Sequence, residues 1–480
     1  MVLLFTYQVQ TALGRFLSFS AEGVLVMSKN VHLTSGPIMP QLFRLCVPLL
    51  IGNVLQQLYN IINSLIVTRY LGSGAFAALG VAETVMNLFI YCISGACTGA
   101  SVLIARDYGE GDRPKLRRQM YVTFVIIGGC TLAAVAIGQI FLPALLNIMN
   151  TPAELMGYVS TYLRCILVGM LFTFTYNFLA SALRAVGNTR VALYFLLISL
   201  GYNIVAAWLL VAHFNMGIFG TALATASAQF ISTALCFIYI LKKQPFLIPG
   251  FQDMRLSIET MRETASFGVI AALHQSSLHL GKMMIQSAIN TLGTAAISGF
   301  AAATRVENFV QAFGMSGSET LSIFIAQNKG AKQPERANSG FKKGFAVMLA
   351  AGAVSTVLLV CFARSFVVPF LDANDFAAIE YAVDYLFLLG FFYTLSFIGH
   401  SFVGYFRGSG RMNIPFWGTT IQIAVRVVGT YLLIDRMALD ATALATGIGW
   451  VVIVIFHGSN YLAERYHFFP FRKKETAEEQ

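Results

Sequence analysis

Ionisable side chains inside long apolar stretches are the residues of this 480-residue chain with the clearest chemical potential. Lipid penalises each such group, so they are functional candidates by default. One stretch, about 267–290, carries His274, His279 and Lys282. The next holds Arg305 and Glu307 near its outer end and Glu319 deeper; Glu83 lies in an early stretch, His400 and Arg426 in later ones. Histidine titrates near neutral pH, and a buried lysine needs a carboxylate partner or gives up its proton. These types in this setting point to proton movement. Lys282 follows His279 by three residues and shares its helix face, with Glu307 and Glu83 as partners of suitable depth. Arg305 and Glu307, two apart, do not face one another on a helix, and Arg426 could instead bond backbone carbonyls. The bland alternative is neutral packing histidines and a structural ion pair.

A second constellation is neutral. Asn53, Gln56, Gln57, Asn60 and Ser64 fall at helical spacing, giving one polar stripe on an apolar helix, with Asn63 beside it. Unsatisfied amides in hydrocarbon cost several kcal/mol each, so the stripe must face protein or water. It reads either as hydrogen-bonded glue between helices or, with Asn177 and Asn203, as the lining of a wet substrate pocket.

These groups sit in a chain that is 57% hydrophobic and only 11% charged, against about 25% charged in an ordinary soluble domain. Apolar runs of about 20 residues recur from Leu45 to Leu462, each long enough to span a bilayer, and helices alone satisfy their own backbone there. The Lys and Arg residues behind the net charge of +10 collect in alternate loops, such as Arg106–Arg118 and Lys329–Lys343, with Arg69 and Arg436 as mild exceptions. That places those loops and both termini in the cytoplasm and argues against nucleic acid as partner. The seven cysteines are scattered singly, without a zinc or disulfide framework. No HExxH motif, no paired acidic motif at a membrane edge and no GxxxxGK[ST] phosphate cradle occurs, so the reading is a non-enzymatic, ion-driven chain with no cofactor and no metal.

The stretches repeat. Ala105 and Gly109 meet Ala326 and Gly330 at an offset of 221; Thr221–Thr225 recurs as Thr442–Thr446; Arg184 and Gly187 meet Arg407 and Gly410 at 223. Self-similarity at one offset marks a duplicated unit. Through it, His274 stands where the first half has Asn53, His400 where it has Asn177, and Arg426 where it has Asn203. The pattern predicts a leader over 1–40, with Met27 a natural start and 1–26 an extension. A six-helix bundle follows over 41–241, a cytoplasmic linker over 242–265, a second bundle over 266–464 and a tail over 465–480. Twelve helices result, the first over 45–67, the second over 77–104 and the tenth over 382–406. An even six per half relates the halves by an axis along the membrane normal.

Over about Leu33–Leu462 the chain resembles the multidrug and toxic compound extrusion family. The residues that carry this are LTSGPIMPQLFRLCVPLLIGNVLQQLYNIINSLIVTRYLG at Leu33–Gly72, ALRAVGNTR at Ala182–Arg190, AQNKGAKQPERANSGFKKG at Ala326–Gly344, RVENF at Arg305–Phe309 and TPAELMGYVSTYL from Thr151. The resemblance implies an all-α, V-shaped polytopic protein of twelve transmembrane helices in two bundles, monomeric, in the bacterial inner membrane. It also implies antiport of amphipathic, cationic compounds against protons or sodium ions. The family's usual carboxylates are replaced: Asn63 stands in the first helix, Ala207 in the fifth, Ser277 or Leu278 in the seventh and Ser396 in the tenth. A hard cation wants carboxylate oxygens, so the departures favour protons over sodium and throw weight on His274, His400 and Lys282. A lipid-linked oligosaccharide flippase and a transport-inactive relative are the alternative readings.

Overall fold

The computed structural model describes residues 32–148, 151–372 and 374–466. Within its helices the side chains of 60–61, 63–65, 67–68, 72–77, 148, 153 and 466 are outside that description. The extension over 1–26 and the tail beyond 466 lie outside the described residues.

Among the described residues the regular structure is helical throughout. Twelve α-helices follow in order: α1 Ile38–Glu110, α2 Arg113–Ile148, α3 Ala153–Ala185, α4 Thr189–Trp208, α5 Gly217–Lys243, α6 Ile258–Ile289, α7 Thr294–Gly330, α8 Pro334–Val367, α9 Phe376–Gly390, α10 Tyr393–Gly408, α11 Asn413–Met437 and α12 Leu439–Tyr466. Two boundaries differ from the sequence reading. The first two expected helices run as one element, α1, because helical hydrogen bonding continues through Leu71–Gly74, where no proline interrupts it. It still holds two apolar spans, Ile38–Tyr59 and Ala78–Glu110. The tenth expected helix is two, α9 and α10, bent by 58°. Among the described residues nine segments are long and apolar enough to cross a membrane, and the bent pair makes a tenth. The helices α6 and α7 fall short on composition alone, because they carry His274, His279, Lys282, Arg305, Glu307 and Glu319.

The chain forms two compact units, one of 1–275 with 326–336, the other of 276–325 with 337–480. In the first, α3 packs against α1, α2 and α5, while α4 packs on α1 and α5. Glycines let the start of α6 approach α1: a Cβ at Gly95 would lie 2.6 Å from the Ala271 carbonyl oxygen, and Gly99 abuts Phe267. The expected linker is pinned to this unit. Glu263 pairs with Arg106, Asp253 with Arg117 at 3.4 Å, and the Gln119 amide donates to Thr264 Oγ1 at 2.8 Å. The repeat appears here as contact. Gly109 backs directly onto the Gln327 carbonyl and Gly330 onto that of Arg106, a reciprocal pair at the offset of 221. Neither position has room for a Cβ. The same end is fastened by Gln327, which donates to the Ala185 carbonyl, by Asn328, which donates to Leu33 O, and by Arg336, which reaches Leu33 O and Gln41.

In the second unit α12 packs against α9, α10 and α11. The core gathers Ile285, Phe300, Leu386, Leu389, Tyr385, Tyr393, Phe397 and Trp450. The bend between α9 and α10 frees backbone groups that Thr356 takes up, accepting from Thr394 N at 3.3 Å and bonding its hydroxyl at 3.0 Å. Membrane helices tolerate a break where neighbours re-satisfy the backbone in this way.

Candidate functional site

The bend places two buried tyrosines, Tyr385 before it and Tyr393 after it, beside Glu307 of α7. The Tyr385 hydroxyl donates to Glu307 Oε1 at 2.5 Å, and that of Tyr393 approaches the Glu307 carbonyl at 3.5 Å. Arg426 of α11 stands against the same Tyr385 hydroxyl. Lys282 of α6 lies within electrostatic reach of both Glu307 and Arg426. Five helices thus converge two cations, one carboxylate and two phenols. The structure brings together Lys282, Glu307 and Arg426, three residues singled out from sequence. Arg305 does not join them, because its guanidinium sits 5.8 Å over the ring of Phe370. The Gln311 amide continues the polar line to Ser396 Oγ at 3.4 Å, and His400 Nδ1 donates to the Ser396 carbonyl at 2.8 Å. His400 packs on Gly314, where a Cβ would come within 3.2 Å of its ring. His279 is half-buried in this unit, while buried His274 belongs to the other. Glu319, deeper on α7, faces Arg407.

The first unit holds a neutral counterpart. The hydroxyl of Tyr59 lies beside that of Thr225, and Glu83 lies within electrostatic reach of both Tyr59 and Tyr162. Asn203 donates to Thr225 Oγ1 at 3.3 Å. Tyr162 and Tyr385 correspond at the offset of 223, as do Asn203 and Arg426, while Glu307 lies three residues, about one helical turn, beyond the position that the offset of 221 gives Glu83. Of the polar stripe, Gln56 is exposed and Asn53 and Gln57 half-buried; the side chains of Asn60 and Asn63 lie outside the described residues. Asn177 donates to Thr173 O of its own helix. Where the resemblance expects a carboxylate, Ala207 is fully buried in an alanine cluster with Ala206 and Ala224, and Ser396 is spent on Gln311 and His400.

Sequence reasoning missed the tyrosines, because Tyr in an apolar run reads as packing and its partner lies 78 residues away. It also missed fully buried His457, which fills the space beside Gly418 and three phenylalanines, and Arg164, exposed in the first half of α3.

The comparisons with known proteins bear on the fold and the family. The family model MatE matches twice, over residues 48–209 and 271–432, the two matches being offset by 223 residues. The chain is 28% identical to the probable multidrug resistance protein YpnP of Bacillus subtilis, across 81% of this chain and 88% of that protein. It is 22% identical to the multidrug export protein MepA of Staphylococcus aureus, across 88% and 92%. Among solved structures, a MOP-superfamily transporter from Pyrococcus furiosus superposes with a TM-score of 0.83 at 19% identity, covering 91% of this chain and 98% of that one. A duplicated helical unit, polar clusters inside apolar helices and a family model matching both halves lead to one assignment: this multi-pass membrane protein belongs to the MATE transporter family.

Proposed function

We propose that the chain is a secondary active antiporter that exports amphipathic, cationic small molecules across the bacterial cytoplasmic membrane in exchange for protons. The names of its relatives YpnP and MepA support drug export. The observation that carries proton coupling is the cluster of the second unit. Lys282 and Arg426 bring two positive charges to one carboxylate, Glu307, and like charges repel one another. Release of a proton from Lys282 neutralises the cluster, so that proton is the least costly to move; arginine holds its own. The Tyr385 hydroxyl bridges Glu307 and Arg426 and holds the carboxylate in place. In this reading His274, His279 and His400 are secondary proton groups.

The first unit supplies the substrate pocket: Asn53, Gln56, Gln57, Asn60, Asn63, Asn177 and Asn203 as neutral lining, with Glu83, within electrostatic reach of Tyr59 and Tyr162, as the feature that suits an organic cation. A carboxylate attracts the charge, and aromatic faces add cation–π contact of about 0.5–2 kcal/mol. Protons fit better than sodium because Ala207 and Ser396 leave no carboxylate oxygens at the family's usual places.

The test is transport of a fluorescent cationic dye into liposomes holding the purified protein, under a proton gradient or a sodium gradient imposed separately. Dye movement under the proton gradient alone is expected. Movement under sodium alone overturns the coupling ion, and movement under neither overturns antiport.

A further inference from the structure

The strongest feature outside the transport clusters is a groove on the first unit along α3, between α2 and α5. Its volume is about 760 Å³, within the range of about 300–1,000 Å³ that small-ligand sites occupy. The floor is smooth, because Gly169 packs directly on Ala226, where a Cβ would stand 2.9 Å from the alanine methyl. The walls are apolar: Val168, Phe172, Phe219 and Phe230 line it, and Val168 and Phe230 are each 53% exposed. The single charge on the lining is Arg164. Its guanidinium takes part in no ion pair or hydrogen bond among the described residues, while its backbone carbonyl accepts from the Gln139 amide at 2.7 Å.

We propose that this groove binds an anionic phospholipid of the outer leaflet, its acyl chain in the Phe172–Phe230 trough and its phosphate on Arg164. The depth fits. Helix α3 has 33 residues, about 50 Å at 1.5 Å per residue, against a hydrocarbon core of about 30 Å. With the excess shared between the two ends, Arg164, eleven residues in, lies only about 7 Å below the outer edge. Side chains on a helix lean toward its N-terminus, which in α3 is the outer end on the positive-inside orientation. Arg164 therefore snorkels up to the phosphate level. From Arg164 to Phe172 the trough descends eight residues, about 12 Å, toward the bilayer centre, the direction an acyl chain takes. A guanidinium in this position without an acidic partner is complemented by a phosphodiester, which it can bind bidentately.

The experiment is native mass spectrometry of the full chain in zwitterionic micelles, titrated separately with phosphatidylglycerol, phosphatidylcholine and inorganic phosphate. Phosphatidylglycerol should bind about fivefold more tightly than phosphatidylcholine. Arg164→Gln should remove that preference and Arg164→Lys restore part of it. Val168→Trp, which fills the trough and leaves the charge, should weaken both lipids. Equal binding of the two lipids, or no change in Arg164→Gln, overturns the proposal. So does phosphate binding that matches the lipid and ignores Val168→Trp, which would make Arg164 an anion site without a lipid. Dye transport in the same variants reports that they are folded.

Discussion

The two halves of the molecule use one layout for different electrostatics. Each gathers a glutamate, a tyrosine at the same repeat position and a residue from the following helix. In the first half that residue is Asn203, bonded to Thr225; in the second it is Arg426, joined by Lys282. The first half therefore holds one carboxylate among neutral groups and suits a cation. The second holds a carboxylate outnumbered by cations and suits proton release. Arg426 in place of Asn203, with Lys282 added, is the charge difference on which the proposed division of labour rests.

The largest expected effect tests the part of the comparison where the halves are alike. Gly109 and Gly330 back reciprocally onto the carbonyls of Gln327 and Arg106, so Gly109→Leu and Gly330→Leu should each remove most folded protein, to a similar extent. Size-exclusion yield in detergent measures this; a tolerated change at one position alone would break the symmetry of the contact. Next comes the part where they differ. Glu307→Gln leaves two cations unopposed, and a hydrogen bond to a charged group contributes about 1.5–3 kcal/mol. Proton-driven transport should fall about ten- to a hundredfold, with dye binding little changed. Glu83→Gln should do the reverse, weakening dye binding while the pH dependence of transport persists. Equal effects of the two glutamates on dye affinity would sink the division of labour.

A smaller effect is expected from Arg426→Asn, which gives the second half the residue of the first. With one cation removed, Lys282 is balanced by Glu307 alone, and the pH at which transport is half-maximal should rise. Smallest is Asn177→Ala. That amide bonds its own helix at Thr173, so dye affinity should change by less than about twofold, within the ordinary range for a locally satisfied group.

Much of this layout was legible in the sequence because duplication writes itself as an offset. The offset of 221 marked Gly109 and Gly330 before their contact was seen, and 223 marked Asn203 and Arg426. Lys282, Glu307 and Arg426 stood out because charge in an apolar run is conspicuous. Tyr385, Tyr393, Tyr59 and Tyr162 did not, since a phenol is apolar over most of its surface and its role depends on which hydroxyl it meets. Nor was the bend at Phe391–Phe392 legible: no proline marks it, and its support comes from Thr356 on another helix. The stretch 242–265 reads as a free linker by composition. Its acids Glu263 and Asp253 are instead matched to Arg106 and Arg117, a pairing visible only in three dimensions.

The central claim is that the second half exchanges a proton through Lys282 when substrate binds in the first. The direct measurement is proton release into weakly buffered solution when purified protein binds a cationic dye, followed with a pH indicator in wild type and in Lys282→Met. The account predicts about one proton released per dye bound in wild type, and dye binding without release in Lys282→Met. Undiminished release from that variant would contradict it.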